Sequence, residues 1–445
     1  MPAQIQAWSL LNRRADAIPS ARDAMNVPRN LIRLVACLSL FTTLVTSIAA
    51  DKSVRLAFDE EMKAYKATPA SDDVAALNRR LQRGDVSFVH DPAHGYVLEL
   101  LRALDIPVSS QILVASKTSP NKSFISPKNP RALYFNDHVA VAYVPSASLI
   151  EVASADPTLG LVFYTLDQKP ADRPKLVRDD RCLECHSSSK TLNVPGLMVR
   201  SFLTRDDGDV DLLSGLLVNH RTPLADRWGG YYVTGTSGAQ THRGNIFGAE
   251  ANARHEKDPT FNLNITDLKP FLDVTKFPEP GSDLVALMTL EHQAHAENLL
   301  TRLQYDAINA MWSGESLRAA YPSVEAALRY MLFLDEYPLA APVRGSSDFA
   351  RQFEMQGPKD KQGRSLRQFD LQTRLFKFPC SYMIYSPTFD ALPIQARRHF
   401  YHRLLEILDG EDQSPEFAAL KPESRQAIRE ILIETKKDLP ADWRF

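Results

Sequence analysis

An α+β fold is predicted: helices and short antiparallel strands in the N-terminal part, a central Cys-x-x-Cys-His segment, and a mainly helical C-terminal part. Three observations predict it. Five short stretches rich in Val, Ile, Tyr and Phe lie between residues 111 and 166, each bounded by Asn, Asp, Pro or Gly, which is strand-and-turn chemistry. From Ser282 onward apolar residues recur three and four apart, the period of a helix. Four cysteines in 445 residues are too few for a disulfide scaffold. Apolar burial must therefore hold the chain, and 44% hydrophobic against 24% charged residues is an ordinary supply for it.

The first fifty residues read as an export signal. Leu34–Ala50 is seventeen residues without a charge, Arg29 and Arg33 precede it, and Ser47-Ile48-Ala49 offers the small residues a signal peptidase reads. A start at Met25 gives this segment normal proportions. A membrane anchor is the rival reading, but seventeen residues with serines and threonines sit at the lower edge for spanning a bilayer. The expected location is periplasmic or extracellular, with membrane contact only if the segment stays uncleaved. Removing residues 1–50 takes five arginines and two aspartates, leaving 47 basic and 52 acidic groups and a charge of −5, from −2 for the whole chain. No basic surplus of the kind that binds phosphate backbones is present, so nucleic acid is not an expected partner.

Residues 51–175 are expected to form an N-terminal α+β region. Ser71-Asp72-Asp73 caps a helix whose Val74, Leu77 and Leu81 share a face. Leu98, Leu101 and Leu104 form a second apolar face, stopped at Pro107. The strands follow at Gln111–Ser116, Ala132–Phe135, Val139–Val144, Leu149–Ala153 and Leu161–Leu166, with a hairpin turn at Asn136-Asp137. Lys169–Arg181 is charged and carries Pro170 and Pro174, so it reads as a surface loop. Residues 176–260 hold the Cys-x-x-Cys-His segment, a strand over Leu197–Phe202 and a glycine-rich stretch. Residues 261–445 read as helices at Asp283–Trp312, Val324–Leu334, Ile394–Leu408 and Glu423–Lys437, with a polar loop at Gly357–Arg364.

Cys182-Leu183-Glu184-Cys185-His186 is the pattern of c-type haem attachment. Two cysteines three apart lie on one helical turn, so both sulfurs reach the two vinyl groups of one porphyrin. The next histidine then meets the iron from the same side and helps to set its potential. One covalent haem c is the expected cofactor, with Cys182 and Cys185 as thioethers and His186 as axial ligand. Zinc would need two more ligands, and no second Cys-x-x-Cys is present. A thiol–disulfide site would be expected in a thioredoxin-like βαβ setting, which is not seen here.

The five residues resemble the attachment motif of c-type cytochromes, although the wider chain does not resemble a small cytochrome c domain. It is more similar to a group of large exported bacterial proteins that carry one such motif. The similar stretches are ISPKNPRALYFNDHVAVAYV at 125–144, GLVFYTL at 160–166, VPGLMVRS at 194–201, RWGGYYVTGTSG at 227–238 and THRGN at 241–245. That resemblance supports haem and implies no substrate.

The sixth iron position divides electron transfer from catalysis, because a His or Met there makes a carrier and an open position admits oxygen or peroxide. His242, in a glycine-flanked stretch, is the first candidate, and Arg243 beside it could pair with a haem propionate. His292 and His295 fall on the apolar stripe Leu284, Met288, His292, His295, Leu299, Leu303, where a histidine is more often a core residue than a ligand. Met198 reads as strand packing, His220 carries no distinguishing pattern, and His399 with His402 reads as a solvated face. Trp228, Tyr231 and Tyr232 could wall the porphyrin or pack the core. Cys380 reads as a buried inert thiol. The function expected is single-electron transfer with redox partner proteins. A haem-dependent peroxidase or oxidase, or a haem-based sensor, stays open.

Overall fold

The structure, a computed structural model, describes residues 59–213 and 215–444. The expected signal peptide, with the fourth cysteine, Cys37, inside its apolar run, lies outside the described residues. Residues 66–445 form one compact unit. No described helix is long and apolar enough to cross a membrane.

Helix α1 (Asp73–Arg83) starts where the sequence predicts. The Asp72 carboxylate accepts the Ala75 amide at 2.9 Å and the Tyr164 hydroxyl at 2.6 Å, so one side chain caps the helix and ties it to the sheet. Val74, Leu77 and Leu81 are buried, and Gly84 ends the helix at φ +78°, a left-handed backbone that side chains with a Cβ rarely adopt. Helix α2 (Val97–Ala103) follows.

Six strands make one antiparallel sheet in sequence order: β1 (Ile112–Val114), β2 (Arg131–Phe135), β3 (Val139–Tyr143), β4 (Leu149–Asp156), β5 (Gly160–Asp167) and β6 (Leu176–Arg178). Asn136 turns the β2–β3 hairpin by accepting the His138 and Val139 amides with its side-chain oxygen. The reading of 169–181 as a plain loop is corrected at its end. Leu176–Arg178 pair with Tyr164–Leu166, and Asn78 of α1 bonds both the amide and the carbonyl of Leu176. This short edge strand delivers residues 179–186 to the sheet.

The two faces of the sheet differ. The row Tyr134, Val141, Val152, Tyr164 is buried throughout. On the other face the row Leu133, Ala142, Glu151, Thr165 is only half-buried. Helix α3 (Leu183–His186) lies beside that open row. Strands β7 (Val199–Ser201) and β8 (Leu216–Val218) form a separate ladder, and α4 (Gly248–Lys257), which periodicity did not reveal, follows.

Helix α5 (Leu284–Trp312) is the axis of the core. Asp283 caps it by accepting the Ala286 amide, and its second oxygen accepts the Ser346 and Ser347 amides. Leu284 through Ala294 are all buried, so this helix is enclosed rather than amphipathic. Helices α6 (Tyr321–Met331), α7 (Phe349–Met355), α8 (Ile394–Asp409) and α9 (Pro422–Thr435) complete the apolar core around it. The predicted C-terminal helices are present within a few residues at each end; α7 was not predicted.

Candidate functional site

The site begins where β6 ends. The Asp179 amide bonds the Phe163 carbonyl at 2.9 Å, and its carboxylate accepts the Arg181 amide and guanidinium. The chain then turns through residues 180–182 into α3, with Leu183 as its buried anchor. Cys182 is half-buried, Cys185 is exposed, and both are free thiols. Burial pushes the Cys182 thiol up to about 11, and the Asp179 and Glu151 carboxylates act the same way. A thiol–disulfide nucleophile needs the opposite, a lowered value and a standing thiolate.

His186 is held by a reciprocal clamp. The Gly196 amide donates to the His186 carbonyl, and His186 Nδ1 lies 2.9 Å from the Gly196 carbonyl oxygen. A carbonyl only accepts, so Nδ1 carries the proton and the Nε2 lone pair is left free. Burial lowers the imidazole below its ordinary value, outweighing that carbonyl bond, which keeps it neutral and able to bind a metal. The ring packs on Phe163 with centroids 4.9 Å apart.

Two other elements hold the clamp in place. The Leu161 amide bonds the Pro195 carbonyl, fixing the loop to β5. Asn298 of α5 donates to the Leu197 carbonyl at 2.7 Å. A Cβ on Gly196 would fall 2.0 Å from Asn298 Oδ1, so any larger residue would have to displace the Asn298 amide from its place against the loop.

Charged side chains flank α3. Arg131 and Glu151 lie 4.0 Å apart on neighbouring rows of the open face, and both act electrostatically on His186. Ser119 and Asn121 donate to Glu151, and Arg131 donates to Thr118. Arg200 of β7 donates to the Leu212 and Gly215 carbonyls, lies 4.5 Å over the Phe202 ring and feels Cys185. The β7–β8 connection that Arg200 holds exposes Leu212 and Leu213, and Leu216 is exposed at the start of β8.

The other candidates lie elsewhere. His242 is buried with its ring on Trp228, and Nδ1 accepts the Gly244 amide at 3.1 Å; burial holds it down to about 4. Arg243 is half-buried, donates its amide to the Arg227 carbonyl and acts on His255. Trp228 is a core residue whose indole donates to Glu291 at 2.9 Å, while Glu291 pairs with Arg227. Of the three aromatics, it is Tyr231 that the Arg131 and Arg200 charges reach. His292 is fully enclosed, with Nδ1 2.8 Å from His220 Nδ1 and Nε2 2.8 Å from Ser381 Oγ. Both its nitrogens are engaged, so as placed here it has none left for iron. His295 packs edge-on to Tyr330, Met198 is half-buried just before β7, and Cys380 is buried with its thiol pushed up to about 12.

Among the described residues no group of three or more His, Cys, Asp or Glu side chains is placed to hold a metal. A porphyrin-bound iron needs no such group, since four of its ligands are the macrocycle's own and one histidine completes the near side. Sequence reasoning missed Gly196, Asn298, Arg131, Glu151 and Arg200; the proline–glycine pair nine and ten residues after His186 was the available signal for the clamp. No protein-family model, curated protein or solved structure matches this chain.

Proposed function

We propose that this chain is an exported c-type cytochrome that carries one haem c covalently and passes single electrons through it to redox partner proteins. The observation that carries this reading is the Nδ1–H bond from His186 to the Gly196 carbonyl. A histidine that ligates through one nitrogen is normally held at the other by a carbonyl or carboxylate, which orients the ring and makes it a better donor.

The residues fit the group in three further respects. Cys182 and Cys185 are unpaired thiols one helical turn apart, and each would add its S–H across one vinyl group, sulfur bonding one carbon and the proton the other. Leu133, Ala142 and Thr165 leave a low, half-open ledge beside His186, and the exposed Leu212, Leu213 and Leu216 offer apolar cover. Arg131 and Arg200 supply positive charge for the propionates, where charge-assisted hydrogen bonds are strong. The bound haem would supply a one-electron Fe(III)/Fe(II) couple. This chain's residues orient the imidazole, shield one edge and set the local charge.

The test is maturation in a host with export and haem-ligation machinery. The expected product is red and gains the mass of one tetrapyrrole that survives denaturation. Cys182→Ala and Cys185→Ala each leave one thioether, and the double variant leaves none. A low-spin spectrum indifferent to carbon monoxide is expected of the carrier; a high-spin spectrum that binds it would assign catalysis or gas sensing instead. A colourless product of unchanged mass would refute the reading.

A further inference from the structure

Helix α5 carries a polar stripe inside the core. Glu297, Thr301 and Gln304 recur four and three residues apart, with Asn298 beside them, and all four are buried. Each leaves one oxygen without a hydrogen-bond partner: Glu297 Oε2, Asn298 Oδ1, Thr301 Oγ1 and Gln304 Oε1. Four orphaned acceptors on one side of one helix are rare in a folded interior, where such atoms are usually met by ordered water. Glu297, at one end of the stripe, lines a cavity between α5 and the sheet with room for about one water. Ala140, Ala153, Leu161, Leu197, Gln293 and Glu297 are among its walls.

That cavity adjoins the haem-attachment clamp. Leu197 follows Gly196, whose carbonyl holds His186. Ala153 pairs across the strands with Phe163, on whose ring His186 packs. At its far end the stripe reaches the surface turn, where the Gln304 amide donates to the Pro157 carbonyl. Polar groups therefore run from the neighbourhood of His186 towards solvent.

We infer that Glu297 is a proton acceptor coupled to the redox state of the His186 site, taking up one proton along the polar stripe as the site accepts one electron from an external one-electron donor. This rests on the proposed haem. The step balances as one electron from the donor and one proton from bulk water, the carboxylate becoming a carboxylic acid. Burial raises Glu297 to about 7, against the opposing hydrogen bond from Thr388. At neutral pH the group is thus poised, and a unit charge change nearby tips it. The surrounding titratable groups are Asp137, paired with Arg367, and His138 on the hairpin; Tyr382, whose hydroxyl bonds Gln293; His295 on α5; and the Asp390–Lys436 pair beside the turn that bears Thr388.

The test is a redox titration of the haem-loaded protein from about pH 5 to about pH 9. The wild type is expected to shift its electron affinity by up to tenfold per pH unit around neutrality, which is 59 mV for one electron. Glu297→Gln, which keeps the shape, should flatten that dependence. Thr388→Val, which removes the bond favouring the charged form, should move the inflection to higher pH. A red protein whose pH dependence is the same in wild type and Glu297→Gln overturns this inference and leaves the haem reading intact. A colourless protein overturns the haem reading, and the coupling falls with it.

Discussion

Replacing Gly196 by alanine would set a methyl carbon 2.0 Å from Asn298 Oδ1, well inside contact distance. The Asn298 amide, held by its bond to the Leu197 carbonyl, the loop or α5 must give way, and overpacking of this kind costs about 1–3 kcal/mol. The loop cannot move without straining two bonds to His186, the Gly196 amide to its carbonyl and its Nδ1 to the Gly196 carbonyl. Each is worth about 1 kcal/mol, so losing both as well brings the total to roughly 3–5 kcal/mol. Asn298→Ala removes the obstacle and loses the bond to the Leu197 carbonyl, at about 1–2 kcal/mol. The double variant should therefore lose at least about 1 kcal/mol less than the sum of the single losses, a coupling typical of residues in contact. Urea unfolding of the four proteins measures this whether or not haem is attached. Additive losses, or a Gly196→Ala protein as stable as wild type, would refute the account of how His186 is held.

Acid should destabilise the fold steeply. Burial holds His292 down to about 3 and His295 and His242 down to about 4, while the unfolded chain takes these protons near pH 6.5. Their contribution is complete above pH 6.5 and falls as pH drops, by about 1.4 kcal/mol per unit for each. Glu297, raised to about 7, works in the opposite sense: its contribution is complete below the unfolded value and is lost as pH rises through 7. Between pH 6.5 and 4.5 the balance of these four is a loss of roughly 3 kcal/mol per unit, readable as a falling urea midpoint; a stability unchanged from pH 7 to pH 5 would contradict the buried neutral histidines. Glu291→Gln keeps an acceptor for the Trp228 indole but strands the buried Arg227 charge, at a cost of about 3–5 kcal/mol. A thermal melt within a degree or two of wild type would show that this pair is not buried as described.

Most of the fold was legible because local chemistry repeats. The five strands carry β-branched and aromatic residues between turn formers, and Asn136 turns its hairpin through its own side chain. Helix α5 was legible from end to end, since its period and its Asp283 cap are both local. Strand β6 was hidden because three residues beside two prolines and several charges carry no alternation of their own; Asn78, 98 residues from Leu176, makes it a strand. The histidines show the same limit. Spacing placed His292 on an apolar face, but its partners His220 and Ser381 are 72 and 89 residues away. The pentapeptide was legible because its chemistry needs only five adjacent residues, whereas a sixth ligand depends on tertiary approach.

The uneven burial of the sheet is the remaining physical argument. Its back face is sealed by α1 through Asp72–Tyr164 and Asn78–Leu176 bonds, and α5 seals the other face near Asn136 and Leu159. Between them the row Leu133, Ala142, Glu151, Thr165 stays half-open beside His186, with Arg131 on the neighbouring row 4.0 Å from Glu151. A half-open ledge carrying apolar residues forfeits burial worth roughly 25 cal/mol for each Å² left wet, and leaves two charges in a partly dry setting. A flat, largely apolar ligand with anionic edges, tethered at Cys182 and Cys185, would recover that burial and neutralise Arg131. The same ledge would be a defect in a protein that bound nothing there, and Leu133→Asp tests it: Leu133 packs partly buried against the core, so the fold loses stability with or without haem, while a porphyrin seated on the ledge also changes its spectrum; a loaded protein with the wild-type spectrum would refute the seat.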